Sequence, residues 1–324
     1  MARITTVIPA FRRPALLKRA IESVLAQTWS DLEVRVFDDA SGDNTAPVVE
    51  AVARRDSRVR YVCNPRNLGM IPNAAAAIAR VDSEFFTVLN DDDFLAPDFF
   101  RTAIAAFEKH PDAGAFIGRL VYWDLDIPNR TRAYFSLGRE GYLPAPEAFI
   151  EILSKSQNHT WTSMMFRREV IDTVGGLDVG VGYAADLDFE LQVLARFPAI
   201  ISETPCAIYC LHGGSSSHDD WLTPCIPSML RMLGKVMLEK QFDTATRRRM
   251  FAAMQTSFRH TLVTGVARAL ALGHNDAALR AADFLTDWLA EPRLAAAIRF
   301  AARESAGARV ARAALRSVRK VRAR

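Results

Sequence analysis

The sequence predicts an α/β fold, a Rossmann-like, mostly parallel mixed sheet flanked by helices, with an α-helical carboxyl-terminal extension. Three observations carry this reading. Over roughly the first 100 residues, β-branched runs alternate with helical segments. Two of those runs end in clustered aspartates, Asp38-Asp39 and Asp91-Asp92-Asp93. Beyond Pro224 and Pro227 the apolar spacing turns helical and the charge changes sign. Residues 1–222 carry 22 Lys and Arg against 30 Asp and Glu, a net −8, whereas 223–324 carry 19 against 7, a net +12. The chain therefore divides into 1–222, with halves 1–112 and 113–222, and a basic helical region, 223–324.

Ile4-Thr5-Thr6-Val7-Ile8, ending at Pro9, reads as a central first strand. Pro14 opens a helix with apolar positions at Leu17, Ile21, Val24 and Thr28. Leu32 to Phe37 is the second strand, and Ser41-Gly42-Asp43-Asn44-Thr45 supplies turn and cap chemistry for a helix through Val48, Val49 and Val52. Val59 to Cys63 is the third strand, and Asn67-Leu68-Gly69 turns into an Ala-rich helix near 73–79. Phe85 to Leu89 is a buried strand, and a helix follows at Pro97. Such alternation implies right-handed crossovers and a mostly parallel sheet.

Asn90-Asp91-Asp92-Asp93 stands where ligands of open α/β sheets bind, outside the carboxyl ends of the strands. Three adjacent carboxylates repel one another unless a cation lies among them, so the run points to a divalent-metal site facing a diphosphate. Composition restricts the rest. Of 324 residues, 50% are hydrophobic and 24% charged, an ordinary globular balance. No apolar run approaches the roughly 20 residues of a membrane helix, and the amino terminus has no signal-peptide core, so a cytoplasmic location is expected. Cys63, Cys206, Cys210 and Cys225 lack metal-motif and disulfide-framework spacing. The basic excess has neither aromatic stacking platforms nor a base-reading motif, which argues against nucleic acid as a partner.

Thr6-Val7-Ile8-Pro9-Ala10-Phe11, Ala20 to Thr28, Asp38-Asp39-Ala40-Ser41, Asn67-Leu68-Gly69 and Leu89-Asn90-Asp91-Asp92-Asp93 together resemble inverting glycosyltransferase family 2, with its GT-A fold. The resemblance covers roughly residues 3 to 215 and implies transfer of a sugar from a nucleoside diphosphate to an acceptor hydroxyl. It implies that Phe11 lies against the nucleobase, that Pro9 shapes the approach, and that Asp39 accepts the base N–H, which favours uracil or thymine. Arg66 and Asn67 become candidates for the base or diphosphate. Asp91 matches the acid near the ribose and donor sugar, and Asp92 the acid that coordinates Mn2+ or Mg2+.

In the second half, two short strands are expected at 113–118 and 120–124. His159 to Arg168 and Val174-Gly175-Gly176-Leu177-Asp178 also resemble the family. In Ala185-Asp186-Leu187-Asp188-Phe189-Glu190, Asp186 matches the general base, although Ala185 replaces the usual Glu. On a helix Glu190 shares a face with Asp186 and competes with it, while Asp188 points elsewhere. Trp161 is either a sugar-stacking residue or a core residue. His212, in His212-Gly213-Gly214-Ser215 after the strand 208–211, is a candidate metal ligand, with a structural His as the alternative.

Helices are expected near 226–240, 244–272, 276–290 and 292–322. In the last, Val310, Ala314, Val318 and Val321 form a narrow apolar stripe among arginines, suited to peripheral contact with the inner face of a membrane. The expected activity is metal-dependent transfer from a UDP-sugar to a surface glycan or its lipid-linked precursor. A non-catalytic nucleotide-sugar or glycan-binding module is the alternative, and a sugar-phosphate nucleotidyltransferase is more remote, because the loop after the first strand has no Gly.

Overall fold

The computed structural model describes residues 2–126, 131–135, 138–155, 160–213 and 221–303. Contacts divide the chain into two units. The first comprises Met1–Phe149, Gln157–Gly180 and Ala185–Gly213; the second comprises Ile150–Ser156, Val181–Ala184 and Gly214–Arg324. The second unit thus includes two short internal segments besides the carboxyl-terminal stretch.

In the first unit, β1 (Ile4–Ala10), α1 (Pro14–Leu25), β2 (Leu32–Asp38), α2 (Thr45–Ala53), β3 (Val59–Cys63), α3 (Met70–Ile78) and β4 (Phe85–Val88) alternate as the periodicity predicts. After them come β5 (Phe94–Leu95), α4 (Phe99–Lys109), β6 (Ala115–Asp124), β7 (Thr131–Phe135), β8 (Gly141–Leu143) and α5 (Glu147–Ser154), which runs from the first unit into the second. Then β9 (Met164–Arg167), α6 (Glu169–Val174), α7 (Ala185–Arg196) and β10 (Ala199–Leu211) complete the sheet unit.

The strands form one mixed sheet in the order β3-β2-β1-β4-β9-β6-β10-β5, with β7 beside β6 and β8 beside β10. β1 runs parallel to both β2 and β4, pairing Ala10 with Asp38 and Val7 with Val88. The turns after β1, β2 and β4 consequently open on one edge, which is what brings the two aspartate clusters together. β9 is antiparallel to β4 and β6, and β10 is parallel to β6. The core beneath this edge is aromatic: Phe85, Phe99, Phe100, Phe107 and Phe116 are all fully buried. Burial of each such side chain contributes about 1.5–3 kcal/mol.

Several boundaries differ from the sequence reading. α1 stops at Leu25, and Thr28 leaves the helix to donate its N–H to Pro97 O (2.9 Å) and its hydroxyl to Asp98 (2.9 Å). The two strands expected at 113–118 and 120–124 are one, β6. Gly118, inside it, serves close packing, since a Cβ there would run into the side chain of Cys206. The irregularity lies instead on β10, whose register against β6 shifts on either side of Pro205. Pro needs a bulge or an edge when it sits in a sheet. β10 also begins at Ala199, well before the four residues read from the sequence.

The second unit contains α8 (Leu222–Leu238), α9 (Thr244–Leu272), α10 (Asn275–Asp287) and α11 (Pro292–Arg303). α8 begins earlier than expected, with Pro224 in its first turn and Pro227 inside it. Asp243 caps α9 by accepting the Thr246 N–H at 2.7 Å, and Gly273 ends it at φ 84°. Asn275 is the first residue of α10 and His274 its cap. Among the described residues no helix is long and apolar enough to cross a membrane. The basic stripe expected between 304 and 322 lies outside the described residues, as does His159.

Candidate functional site

Phe11 leaves β1 38% exposed, with the Arg12 guanidinium 4.9 Å from its ring centroid, and its N–H donates to Asp91 Oδ2 at 3.0 Å. The next residue, Arg12, adopts a left-handed backbone (φ 56°), as does Ala40 after β2 (φ 54°). Non-Gly residues there carry strain, and both flank the acidic edge. The Arg12 N–H donates to Ser41 Oγ at 2.9 Å, tying the two loops together. Asp38 is buried and holds its own turn, accepting from Ser41 N at 3.0 Å and from the Tyr61 hydroxyl at 2.5 Å.

Asp39 is also buried. Its Oδ1 accepts from Leu68 N (2.8 Å) and Asn64 Nδ2 (2.9 Å), and its Oδ2 from Gly69 N (2.8 Å). A carboxylate has about four acceptor positions, so one on Oδ2 is left over. Asn67 donates to the Asp39 carbonyl at 3.2 Å, and Arg66 is exposed on the same loop.

The three acids after β4 do not act alike. Arg13 Nη2 lies 2.8 Å from Asp91 Oδ1, and its Nη1 bonds Asp92 Oδ2. His212 Nε2 is 3.1 Å from the same Asp92 oxygen. Arg19, from α1, donates to the Asp92 main-chain oxygen at 2.8 Å. Burial pushes Asp91 up to about 7, against the opposing pull of Arg13. Asp93 faces inward, a correction to the reading of the run as one metal-binding cluster. Its Oδ1 accepts from Cys210 N (2.8 Å), and its Oδ2 from Asn90 Nδ2 (2.9 Å) and Thr162 Oγ1 (3.1 Å). Burial, with the negative charge of Asp92 adding to it, raises this carboxyl to about 7 as well. Asp93→Ala strands three buried donors and is expected to cost about 2–4 kcal/mol in urea unfolding. A loss below about 1 kcal/mol would remove this scaffold role.

Trp161 settles on the core alternative. It is 6% exposed and donates Nε1 to Asn90 Oδ1 at 3.0 Å, within the Asp93 network. Asp186 stands in the first turn of α7, partly exposed, whereas Asp188 and Glu190 are each only 2% exposed. α7 is seated through Phe189, 6.4 Å from Phe86 of β4 and 5.3 Å from Phe166 of β9 by ring centroids.

The structure thus brings Phe11, Asp91, Asp92 and His212 together, keeps Pro9 within β1 opposite Phe37, sets Asp39 with Asn67 and Arg66 on the neighbouring strand end, and mounts Asp186 on a helix packed against β4. Arg13 and Arg19 were missed. A signal for Arg13 existed, since buried carboxylates require a counter-cation and it follows the strand adjacent to them. Among the described residues no group of three or more His, Cys, Asp and Glu converges as a metal cage. Asp92 and His212 are the residues that would hold a divalent cation here, whose charge the Asp92 carboxylate would offset. Arg13 shows that the site accepts positive charge.

A family model described as Glycosyl transferase family 2 matches residues 5–175, more than half of the chain. The GalNAc(5)-diNAcBac-PP-undecaprenol beta-1,3-glucosyltransferase of Campylobacter jejuni is 37% identical over 97 residues, 29% of this chain and 31% of that protein. The match therefore spans less than a third of that relative's length. S. aureus TarS 1-349 in complex with UDP-GlcNAc superposes with a TM-score of 0.71 at 13% identity, over 97% of this chain and 92% of that one. The mannosyltransferase PcManGT from Pyrobaculum calidifontis, in complex with GDP-Man and Mn2+, gives 0.57 at 18% identity, over 93% and 88%. At these identities the structural likeness is one of fold.

Proposed function

The chain belongs to glycosyl transferase family 2 and has the GT-A fold, and on that premise we propose that it moves a sugar from a UDP-sugar to an acceptor hydroxyl of a surface glycan or its lipid-linked precursor, with inversion. The observation that carries this reading is the convergence of Asp91, Asp92 and His212 on one sheet edge, with Asp39 two strands away across β1.

Phe11 offers an exposed ring to the base, and the remaining acceptor position of Asp39 suits the single imide N–H of uracil. Asp91 faces the ribose and donor sugar. Asp92 and His212 would hold a manganese or magnesium ion, whose chemistry there is to offset the charge that builds on the leaving diphosphate. Asp186 takes the proton of the acceptor hydroxyl. The oxygen attacks the anomeric carbon from the face opposite the diphosphate, the bond from that carbon to the phosphate oxygen breaks, and UDP leaves with the electron pair. The lipid-linked class of acceptor is supported by the name of the Campylobacter relative, and the UDP donor by the TarS complex.

A thermal-shift panel of UDP-, GDP- and dTDP-sugars, with and without manganese, tests the reading. A ligand at 100 times its Kd stabilises the folded state by about 2.7 kcal/mol, so one UDP-sugar with manganese is expected to raise Tm by several degrees. Stabilisation by a GDP-sugar instead would overturn the donor assignment, and no response to any sugar would overturn the function.

A further inference from the structure

The large apolar side chains left exposed on the sheet unit are not scattered. Among its described residues they are Phe11, Leu68, Met70, Trp123 and Val179; Trp123 is next to last in β6, Phe11 and Leu68 lie in the segments that follow β1 and β3, and Met70 opens α3. Exposed apolar surface gathered at one edge marks a ligand-contact surface. Phe11, Leu68 and Met70 lie on the side of Asp39. Strand order puts Trp123 on the other side of the acid pair, because β6 and β10 lie beyond β4 and β9.

Trp123 is 40% exposed and pairs in register with Cys210, two residues before His212. It is braced in place. Phe94, two residues past Asp92, meets the indole edge-on, with centroids 5.7 Å apart at 66°. Arg19 lies over the Phe94 ring at 4.8 Å while donating to the Asp92 carbonyl. A contiguous row therefore runs from Asp92 through Arg19 and Phe94 to an open indole. The Asp126 carboxylate lies beside Gly213 at the same end of the strands. An exposed, rigid indole matches the apolar C–H face of a pyranose.

We propose that Trp123, held by Phe94 and Arg19, is the platform on which a pyranose ring of the acceptor stacks. The inference rests on the glycosyl-transfer reading and adds the acceptor's chemical class and its position on the edge. Saturation-transfer NMR with the methyl β-glycosides of glucose, galactose and N-acetylglucosamine tests it on the full chain. Trp123→Ala is expected to weaken the best-bound glycoside about three- to tenfold, while Trp123→Phe stays within about twofold. The thermal shift caused by UDP with manganese is expected to be the same in all three proteins. Equal glycoside affinity in Trp123→Ala overturns the proposal, and so does the absence of saturation transfer from the wild-type protein to any of the three. Loss of the UDP shift in Trp123→Ala also overturns it, since the ring would then belong to the donor site or to folding. Failure of the donor chemistry reads differently: UDP with manganese then leaves wild-type Tm unchanged whatever Trp123 does to glycoside binding.

Discussion

Asp92→Ala is expected to lower glycosyl transfer by at least about 10²- to 10³-fold, and to abolish manganese-dependent donor binding in calorimetry. The size of the effect follows from where the carboxylate stands. Two unit charges at 4 Å interact by about 4 kcal/mol at an effective dielectric near 20, and each 1.36 kcal/mol is worth about tenfold in rate. The backbone should tolerate the change, because Arg19 binds the Asp92 main-chain oxygen and not its side chain. Activity that persists in this variant, or in excess chelator, would take the metal out of the reaction. Arg13 sharpens the same titration. Its guanidinium bonds both Asp91 and Asp92, so it competes with a dication for them. Arg13→Gln is therefore expected to tighten manganese binding in the absence of donor by about tenfold and to lower Tm in chelator. Weaker manganese binding in that variant would mean that the guanidinium supports the cation site instead of competing for it.

Asp186→Asn is expected to lower kcat by about 10²- to 10⁴-fold, the usual contribution of a positioned base, with the UDP-induced thermal shift preserved. Sequence alone leaves Glu190 as a rival on the same helical face, and exposure separates the two. Asp186 is partly open to solvent, whereas Glu190 is buried with Asp188. A base has to reach the acceptor hydroxyl, so Glu190→Gln should act first on folding, visible in urea unfolding, and only through that on rate. If Asp186→Asn turned over at the wild-type rate, another group would have to take the proton.

The parallel half of the sheet was legible because β-branched runs and helix-cap residues alternate there, and because strand ends carry the acids. What the sequence did not reveal follows from how side-chain direction is encoded. Asp91, Asp92 and Asp93 occupy a turn, where no period of 2 or 3.6 decides which carboxylate faces inward. Only Cys210, Asn90 and Thr162 tell Asp93 from its neighbours, and two of them lie far along the chain. The continuity of β6 through Gly118 was not legible because the close approach of Gly118 to Cys206 depends on β10, which comes much later. Trp161 has a partly buried partner in Asn90, whereas Trp123 lies near the end of a strand with its side chain exposed, and residue type alone does not separate these cases.

The Asp93 hydrogen bonds bear on how the enzyme is made. Asp93 is joined to Thr162 across 69 positions and to Cys210 across 117. During synthesis the amino-terminal half emerges first, but its acidic turn waits for β10 before Asp93 finds all its donors. Residues 1–112 alone would therefore be expected to build the parallel strands without fixing the acids, so the first half of the chain is not a portable nucleotide-sugar module.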